Sequence, residues 1–591
     1  MYRAPVRDIL HTLRVTGFHE AIEAGHLGDL DIETAEAIVE EAGKFASERI
    51  APMNRQGDQQ GARYESGTVT MPDGYAELYR DWWQAGWNSL TGSAEHGGQA
   101  LPNMLAVACL EMWNAGSIAF ALGPTLTIGA VEALEQHGAE DLKARYLPKM
   151  ISGEWMGTMN LTEPHAGSDL GTLRSRAEPL GDGRYRVFGQ KIYITYGEHD
   201  QADNIVHMVL ARLPDAPEGT RGISLFLVPK YLPDENGEPG KLNDVFCNGI
   251  EHKLGIHASP TCTMIYGDGK GEVDEPGAIG WLVGEPNRGL FAMFTMMNNA
   301  RLAVAMQGVA VADAAYQKAR DYADERRQGK SVGWAEKAMT PIVHHPDVQR
   351  MLLEMRALTG AARAIAYANA HALDLVQGDP DRAGHWQERA NLLTPVAKAF
   401  ATDVGVEVAS LGVQVHGGMG YVEETGAAQF LRDARIAPIY EGTNGIQAID
   451  LVQRKLGQSG GDHVRGYFDE LDAIVAEVRA SNRPAFGDTA ERLEAAMDAL
   501  RGATDYLLDA LGSDRVADAQ AGATPYLRIF GLASGGCYLA KSALADAEGT
   551  GRTSLARFFA ENLVPETESL RVSVVHGAAS FEGAMDALKV A

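Results

Sequence analysis

Two segments of this chain concentrate the side chains that ligand binding and catalysis draw on. The first reads Trp155-Met156-Gly157-Thr158-Met159-Asn160-Leu161-Thr162-Glu163-Pro164-His165-Ala166-Gly167-Ser168-Asp169. Pro164 fixes a turn, Gly167 lets backbone approach a ligand, and Thr162 and Ser168 supply hydroxyls. Such a loop could hold a phosphate or a heterocycle, although a bare loop of this composition is ordinarily a turn and nothing more. The second segment is Gln414-Val415-His416-Gly417-Gly418-Met419-Gly420-Tyr421, followed by Arg432-Asp433-Ala434-Arg435-Ile436-Ala437-Pro438-Ile439-Tyr440-Glu441-Gly442-Thr443-Asn444. Its glycines permit close approach of a bulky ligand. They do not spell the dinucleotide fingerprint and no βαβ pattern surrounds them, so a nicotinamide cofactor is disfavoured. Pro438 and the run from Glu441 to Asn444 mark a loop entering a helix, with Thr443 or Asn444 as its N-cap. Glu441 taken alone is an ordinary solvated loop acid. His165, His207, His252, His257 and His416 lack metal-ligand spacing, and Cys109, Cys247, Cys262 and Cys537 lie far apart. Neither a metal centre nor a disulfide framework is expected, and a reducing, cytoplasmic setting is.

The elements that must position these residues follow from periodicity. From about Leu30 to Ile151 apolar residues recur at helical spacing with no strand pattern among them. Between about Gly157 and Gly284 short β-type runs replace them (Tyr185 to Phe188, Ile192 to Thr195, Ile205 to Ala211, Ile223 to Val228, Thr263 to Tyr266), which suggests an antiparallel barrel or sandwich. Helical spacing returns from about Leu290, with Leu302, Ala305, Met306, Val309, Ala312 and Tyr316 in one stripe, as in a bundle. Gln458 to Gly461 reads as a linker to a further Ala/Leu-rich helical region. The expected segments are an extension at 1–34, a helical domain at 35–156, a β domain at 157–285, a helical bundle at 286–456 and an additional helical domain at 457–591. The uncharged stretch between Glu111 and Glu132 approaches membrane-span length, but Gly123-Pro124 should break it into two buried helices, so no membrane span is expected.

The 591 residues carry 52 Lys plus Arg against 79 Asp plus Glu, a formal charge of -27, with 45% hydrophobic and 22% charged residues. That composition is globular, and the charge opposes binding to nucleic acid. Residues 457–591 alone hold 12 Lys plus Arg against 20 Asp plus Glu. Asp8 and His11 stand where a secretory segment would need apolar residues, and the last residues carry no lipidation or peroxisomal address.

The two motif segments, in this order and separated by a β region and a bundle, resemble the signature motifs of the flavin-dependent acyl-CoA dehydrogenases. Tyr2-Arg3-Ala4-Pro5-Val6-Arg7-Asp8, Ile250-Glu251-His252-Lys253-Leu254-Gly255-Ile256-His257, Glu441-Gly442-Thr443-Asn444-Gly445-Ile446-Gln447 and the long helical tail are similar to the longer bacterial subfamily that includes 3-(methylthio)propionyl-CoA dehydrogenases. The resemblance implies a mostly α fold with a central β domain: a helical domain, a β-barrel, a four-helix bundle and an extra C-terminal helical domain. It implies FAD as cofactor and Glu441 as the base that removes the α-proton of an acyl-CoA thioester while the β-hydrogen leaves to the flavin. The Glu441 N–H and a ribityl hydroxyl would then polarise the thioester carbonyl. Some members carry the base beside an arginine on the bundle helix; Asn298-Asn299-Ala300-Arg301 has no acid there, so the base is Glu441. Ser168, Asn298, Asn299, Ala300 and Arg301 are the implied substrate residues. Met159, Leu161, Thr162, Ser168, Tyr193 and Thr195 would meet the flavin, and Arg326, Gln414, Gly417 and Gly418 of a neighbouring subunit its adenosine half. Thr443 and Asn444 would add N-terminal donors to the pyrophosphate.

A homodimer or dimer of dimers follows, with electron-transferring flavoprotein as acceptor. Met159, Tyr193 and Arg326-Arg327-Gln328-Gly329 depart from residues common in the family. The implied acyl group is 3-(methylthio)propionyl, which would belong to dimethylsulfoniopropionate catabolism, with straight-chain fatty acyl-CoA as the alternative. An acyl-CoA oxidase and a non-enzymatic DNA-binding flavoprotein of the alkylation response are the competing functions, and the acidic tail speaks against the second.

Overall fold

A computed structural model describes residues 2–546, 549, 551–581 and 584–589, except that the side chain of Asn298 lies outside the described residues. The chain forms two compact units, one of 1–43, 103–115 and 301–591, the other of 44–102 and 116–300.

The 44–102/116–300 unit is built on a closed barrel of five strands. Arg184–Thr195 pairs antiparallel with Ala278–Val283, which pairs with Ile223–Pro229, which pairs with Asn204–Arg212. Arg176–Pro179 closes the ring, antiparallel to Arg184–Thr195 and meeting Asn204–Arg212 at Arg176↔Arg212. The antiparallel expectation fails at one place that matters. Trp155–Asn160, the strand leading into the first motif, lies parallel to Asn204–Arg212, from Trp155↔Asn204 to Asn160↔Val209. The two are separated by more than 40 residues of chain, long enough for the crossover that parallel pairing requires. The runs expected as separate strands at Tyr185 and Ile192 are one strand of 12 residues. It leaves the barrel at Gly189 to pair with Thr261–Tyr266. Gly189 has φ 144°, and a Cβ there would stand 2.2 Å from Ser175 Oγ, so no other residue can make this bend.

Two further expectations change. The helical region contains a small hairpin, Arg63–Glu65 with Thr68–Thr70, turned at Ser66-Gly67 where both residues have positive φ. Ile118–His137 is one helix, with Pro124 inside it, rather than two. Proline removes one N–H, but burial on both sides of the break point holds the helix together: a Cβ on Gly123 would stand 2.5 Å from Met156 Cε and 3.0 Å from the Tyr196 ring. This helix is long and apolar enough to cross a membrane, yet 83% of its most apolar window is buried within the protein.

In the other unit, Gly289–Glu325 (from Arg301 on), Pro346–Gly378 and Ala383–His416 form the long helices of the bundle. Gly308 and Gly405 let two of them cross at close range, since a Cβ on Gly308 would stand 2.2 Å from the Ala401 carbonyl. The tail is part of this unit. A glycine face of Val516–Leu544 seats on the bundle, with Gly531 over Phe400 and Gly535 over Ala361. Gln458 to Gly461, expected as a linker, is a turn tied to the bundle: Ser459 donates to Glu388 (2.8 Å) and Asn391 to Gln458 (3.1 Å). The N-terminal extension is bound as well. Asp8 accepts from Arg356 of the bundle (2.9 Å) and from Arg552 of the tail (2.7 Å). Beneath it a buried cluster joins Arg363 to Glu111 (2.6 Å) and Asp313 (3.4 Å), with the Tyr367 hydroxyl on Glu111 (2.7 Å).

The seat of the tail is directly testable. A Cβ at Gly531 would stand 2.2 Å from Phe400 Cδ2, whereas one at Gly466, on an exposed helical face, meets nothing within 4 Å. Gly531→Ala should lower stability by about 1–3 kcal/mol through overpacking, and Gly466→Ala should raise it by ~0.5–1 kcal/mol. Urea unfolding of both variants checks the pair; equal effects would mean that the tail does not depend on this contact.

Candidate active site

The first motif is knitted to its neighbouring strand by a buried ion pair. Lys191, fully enclosed, donates from Nζ to the Leu161 carbonyl (3.1 Å) and to Glu163 Oε1 (2.9 Å). The Glu163 carboxylate also accepts from the backbone N–H of Arg174 (2.7 Å) and Ser175 (3.0 Å). Burial alone would raise the Glu163 pKa, but Lys191 and these amides outweigh it and hold it below the usual carboxylate range. Burial pushes Lys191 down to about 8, against the pull of Glu163. Ile192 N–H on the Thr162 carbonyl (2.9 Å) and Thr158 Oγ1 on the Thr195 carbonyl (2.7 Å) complete the seam.

This seam brings Leu161, Thr162, Tyr193 and Thr195 to one place. Tyr193 takes φ 59° and leaves its ring 59% exposed, which sets a flat aromatic surface outside the core. The hydroxyls of Thr162, Ser168 and Thr195 have no protein hydrogen-bond partner among the described residues. An exposed ring beside unpartnered hydroxyls fits a planar, polar heterocycle. Met159 lies differently: its side chain is in the core with Leu126, Ala130 and Ala300. Asn299 donates to Glu132, a carboxyl that burial pushes up to about 7.

Glu441 sits in the other unit, on the turn before the short helix Asn444–Asp450, with φ 56°. Its carboxylate makes no hydrogen bond among the described residues, and burial raises its pKa above the usual carboxylate range against the opposing charges of Arg301 and Lys398. The N–H groups of Glu441, Gly442 and Thr443 likewise have no partner there. Around this turn stand three buried polar atoms with no partner among the described residues: Arg301 Nε, Gln307 Nε2 and Gln447 Oε1. Gln307 accepts from the Tyr440 hydroxyl, and Gln447 donates to the Glu441 carbonyl (3.3 Å). Unpaired donors and acceptors grouped about a desolvated carboxylate are what a site built for a polar substrate requires.

Asn444 is bound closely to the helix beneath the turn. Its amide donates to the Ala399 carbonyl, Thr402 and Asp403, its Oδ1 accepts from Lys398, and its backbone N–H donates to the Pro438 carbonyl. All its donors have partners inside the protein, so it anchors the turn. Thr443 is the N-cap, accepting from Ile446 N–H at 3.3 Å.

Arg326 and the Gln414–Gly418 segment meet at one end of the bundle, where the Tyr322 ring stacks on His416 with centroids 4.4 Å apart. Gly417 and Gly418 face open space, so a ligand can approach their backbone closely. These residues and the Glu441 turn lie far apart within one chain. Lys398, which touches that turn, and His416 are 18 residues apart on one helix, or about 27 Å at 1.5 Å per residue. Sequence reasoning missed Lys191, Lys398, Gln307 and Gln447. Lys398 had a signal: a single charge inside Leu392-Leu393-Thr394-Pro395-Val396-Ala397-Lys398-Ala399-Phe400-Ala401 points into a core.

The chain thus carries a helical domain, a closed barrel, a bundle and a further helical domain, with a glutamate of raised pKa in one unit and an exposed aromatic residue beside unpartnered hydroxyls in the other. Family models agree: "Acyl-CoA dehydrogenase, N-terminal domain" matches residues 32–154, the middle domain 158–268, the C-terminal domain 287–456, and "Acetyl-CoA dehydrogenase C-terminal like" 467–584. The chain belongs to the acyl-CoA dehydrogenase family. It is 47% identical over 546 residues to 3-methylmercaptopropionyl-CoA dehydrogenase of Ruegeria pomeroyi, covering 92% of this chain and 91% of that one. Among solved structures, Caenorhabditis elegans ACDH-11 in complex with C11-CoA has a TM-score of 0.78 at 21% identity, covering 95% and 92% of the two chains. A Bacillus anthracis acyl-CoA dehydrogenase complexed with FAD has a TM-score of 0.71 at 21% identity, covering 93% and 89%. FAD is accordingly the cofactor, and the chemistry is FAD-dependent acyl-CoA dehydrogenation.

The seam beneath the first motif yields a second prediction. Lys191→Met leaves the enclosed Glu163 carboxylate without its cation and should cost ~3–5 kcal/mol of stability, with FAD retained at a lower ratio to protein. Unfolding curves and the flavin-to-protein absorbance ratio measure both; full occupancy and unchanged stability would refute the role assigned to the pair.

Proposed function

We propose that this chain oxidises 3-(methylthio)propionyl-CoA to the corresponding trans-2-enoyl-CoA, with Glu441 as the catalytic base. The observation that carries the base is the state of Glu441: a half-buried residue whose carboxylate pKa burial raises, with no hydrogen bond of its own among the described residues, on a turn whose N–H groups likewise have no partner there. Dehydration makes a carboxylate a stronger proton acceptor, and a positioned base contributes ~10²–10⁴-fold to proton transfer. Glu441 takes the α-proton, and its own N–H donates to the thioester oxygen as negative charge gathers there. Arg301 and Lys398 balance the carboxylate charge. FAD, when bound, supplies the two-electron acceptor for the hydrogen leaving the β-carbon. Thr162, Thr195 and Ser168 offer hydroxyls to that cofactor beside the exposed Tyr193 ring, and Leu161 packs at its edge.

The thioether substrate is supported by the 47% identity to the Ruegeria pomeroyi enzyme over nearly the whole chain. Straight-chain acyl-CoA is the alternative. The distance of about 27 Å between the Glu441 turn and the Arg326/Gly417 cluster supports a second copy of the chain supplying the adenosine half of the cofactor site. Electron-transferring flavoprotein is the proposed acceptor.

Glu441→Gln should load FAD and bind the thioester yet lose flavin bleaching under anaerobic substrate by at least ~10²-fold; bleaching at the wild-type rate would dismiss the base. In the wild type the base must be ionised to act. The bleaching rate should therefore fall as pH drops through a single ionisation that lies above the ordinary carboxylate range. Anaerobic titration with 3-(methylthio)propionyl-CoA, butyryl-CoA and octanoyl-CoA tests the acyl group, the thioether being expected to bleach fastest at equal concentration. Faster bleaching by either straight-chain substrate would favour the alternative.

A further inference from the structure

Resting on the reading of Glu441 as the base, we propose that Lys398 is its positioning residue, a buried ammonium that holds the turn presenting the carboxylate. Lys398 lies in the middle of the Ala383–His416 helix with no exposure to solvent. Its Nζ donates to the Gly442 carbonyl (2.9 Å), the residue after Glu441, and to Asn444 Oδ1 (2.9 Å). Asn444 in turn bonds to Thr402 and Asp403 on the same helix, so three side chains within two helical turns grip the turn from below. The grip is needed because Glu441 is a non-glycine residue at φ 56° and the next residue, Gly442, is at φ 82°. Glycine adopts that region freely, but a non-glycine residue there is costly and persists only where surrounding contacts over-determine it. An ammonium is an expensive group to bury, and here it is satisfied by a backbone carbonyl and an amide oxygen instead of a paired carboxylate.

The second part of the role is charge. Lys398 and Arg301 are the cations that oppose the burial-driven rise of the Glu441 pKa. Burial brings Lys398 itself down to about 8, against the pull of Glu441 and Asp403. The other charged or titratable groups facing this cluster are Asp403, with Arg528 of the tail and Glu407 beside it, Asp450, Arg454 and Lys455 beside Arg301, and the Tyr440 hydroxyl. Removing the Lys398 charge must raise the Glu441 pKa further, so the acid limb of the reaction moves toward neutral pH. Loss of a merely structural contact would slow the reaction without moving that limb.

The test uses the FAD-loaded full chain and anaerobic butyryl-CoA and 3-(methylthio)propionyl-CoA, reading the flavin-bleaching rate from acid to alkaline pH. Lys398→Met should lower the limiting rate at least ~10-fold through misplacement of the base and shift the acid limb upward by about one pH unit. Hydrogen exchange of the apo chain should show faster exchange in the peptide spanning 440–447. Lys398→Arg keeps the charge and misplaces the donors, so its acid limb should stay at the wild-type position while its limiting rate falls. This variant also serves if Lys398→Met fails to fold. An unmoved acid limb in Lys398→Met, or a wild-type limiting rate in either variant, overturns the proposal. Glu441→Gln, measured in parallel, separates the two readings: if it bleaches normally the base assignment has failed, and if it is inert while Lys398→Met behaves as wild type, only the positioning role has.

Discussion

The constraint on which the rest of this structure depends is that a carboxylate must be taken out of water and still be able to ionise. Desolvation raises the affinity of Glu441 for a proton, which is what a base needs, but carried too far it would leave a neutral acid. Arg301 and Lys398 limit that rise without pairing tightly with the carboxylate. A closed salt bridge would have lowered its basicity and occupied its lone pairs. The protein instead anchors the backbone on either side: Gln447 on the Glu441 carbonyl, Lys398 on the Gly442 carbonyl, Asn444 on three partners below. The carboxylate and the adjacent N–H groups are left open.

The same division between a rigid support and an open edge recurs at the first motif. Lys191 and Glu163 are committed to each other and to backbone groups, while the hydroxyls of Thr162 and Thr195 have no partner among the described residues. In both places a buried lysine donates to a main-chain carbonyl of a loop. A lysine used in this way fixes backbone, and it tolerates variation in the side chains that the loop displays. That explains how Met159 and Tyr193 can depart from commoner residues: Met159 contributes packing to the core and Tyr193 projects outward.

The surplus length of the chain has a structural account. The tail is seated on the bundle through glycines, and the N-terminal extension is pinned by Asp8 between one arginine of the bundle and one of the tail. Arg528 of the tail bonds to Glu407 on the helix that also carries Lys398 and Asp403 (3.0 Å). Extension, bundle and tail thus form a single compact unit that supports the helix beneath the base. The -27 charge of the chain is compatible with anionic ligands because the groups that would meet them are local, namely unpartnered N–H groups and a few arginines.

Much of the fold was legible because its signals are local. Period-3.6 stripes marked the bundle, period-2 runs the barrel, and Thr443 its N-cap. Where the readings failed, distant contacts decided. Gly123-Pro124 did not break its helix because Met156 and Tyr196 pack against it, and Gly189 bent one strand where two were expected because Ser175 approaches its backbone. Trp155–Asn160 paired in parallel because more than 40 residues, including two strands, lie between it and its partner and supply the crossover. The role proposed for Glu441 as a base could be read only through resemblance, since an isolated glutamate in a loop carries no sign of dehydration. The sequence by itself determined the element types, the family and the acidic, cysteine-poor character of the chain, because each is written in composition, spacing or motif. Only the tertiary structure decided that Asn444 faces inward, that Lys398 lies under the base, and that the Glu441 carboxylate stands without a hydrogen bond. Desolvation and hydrogen-bond satisfaction depend on residues brought together from far along the chain, which no local pattern encodes.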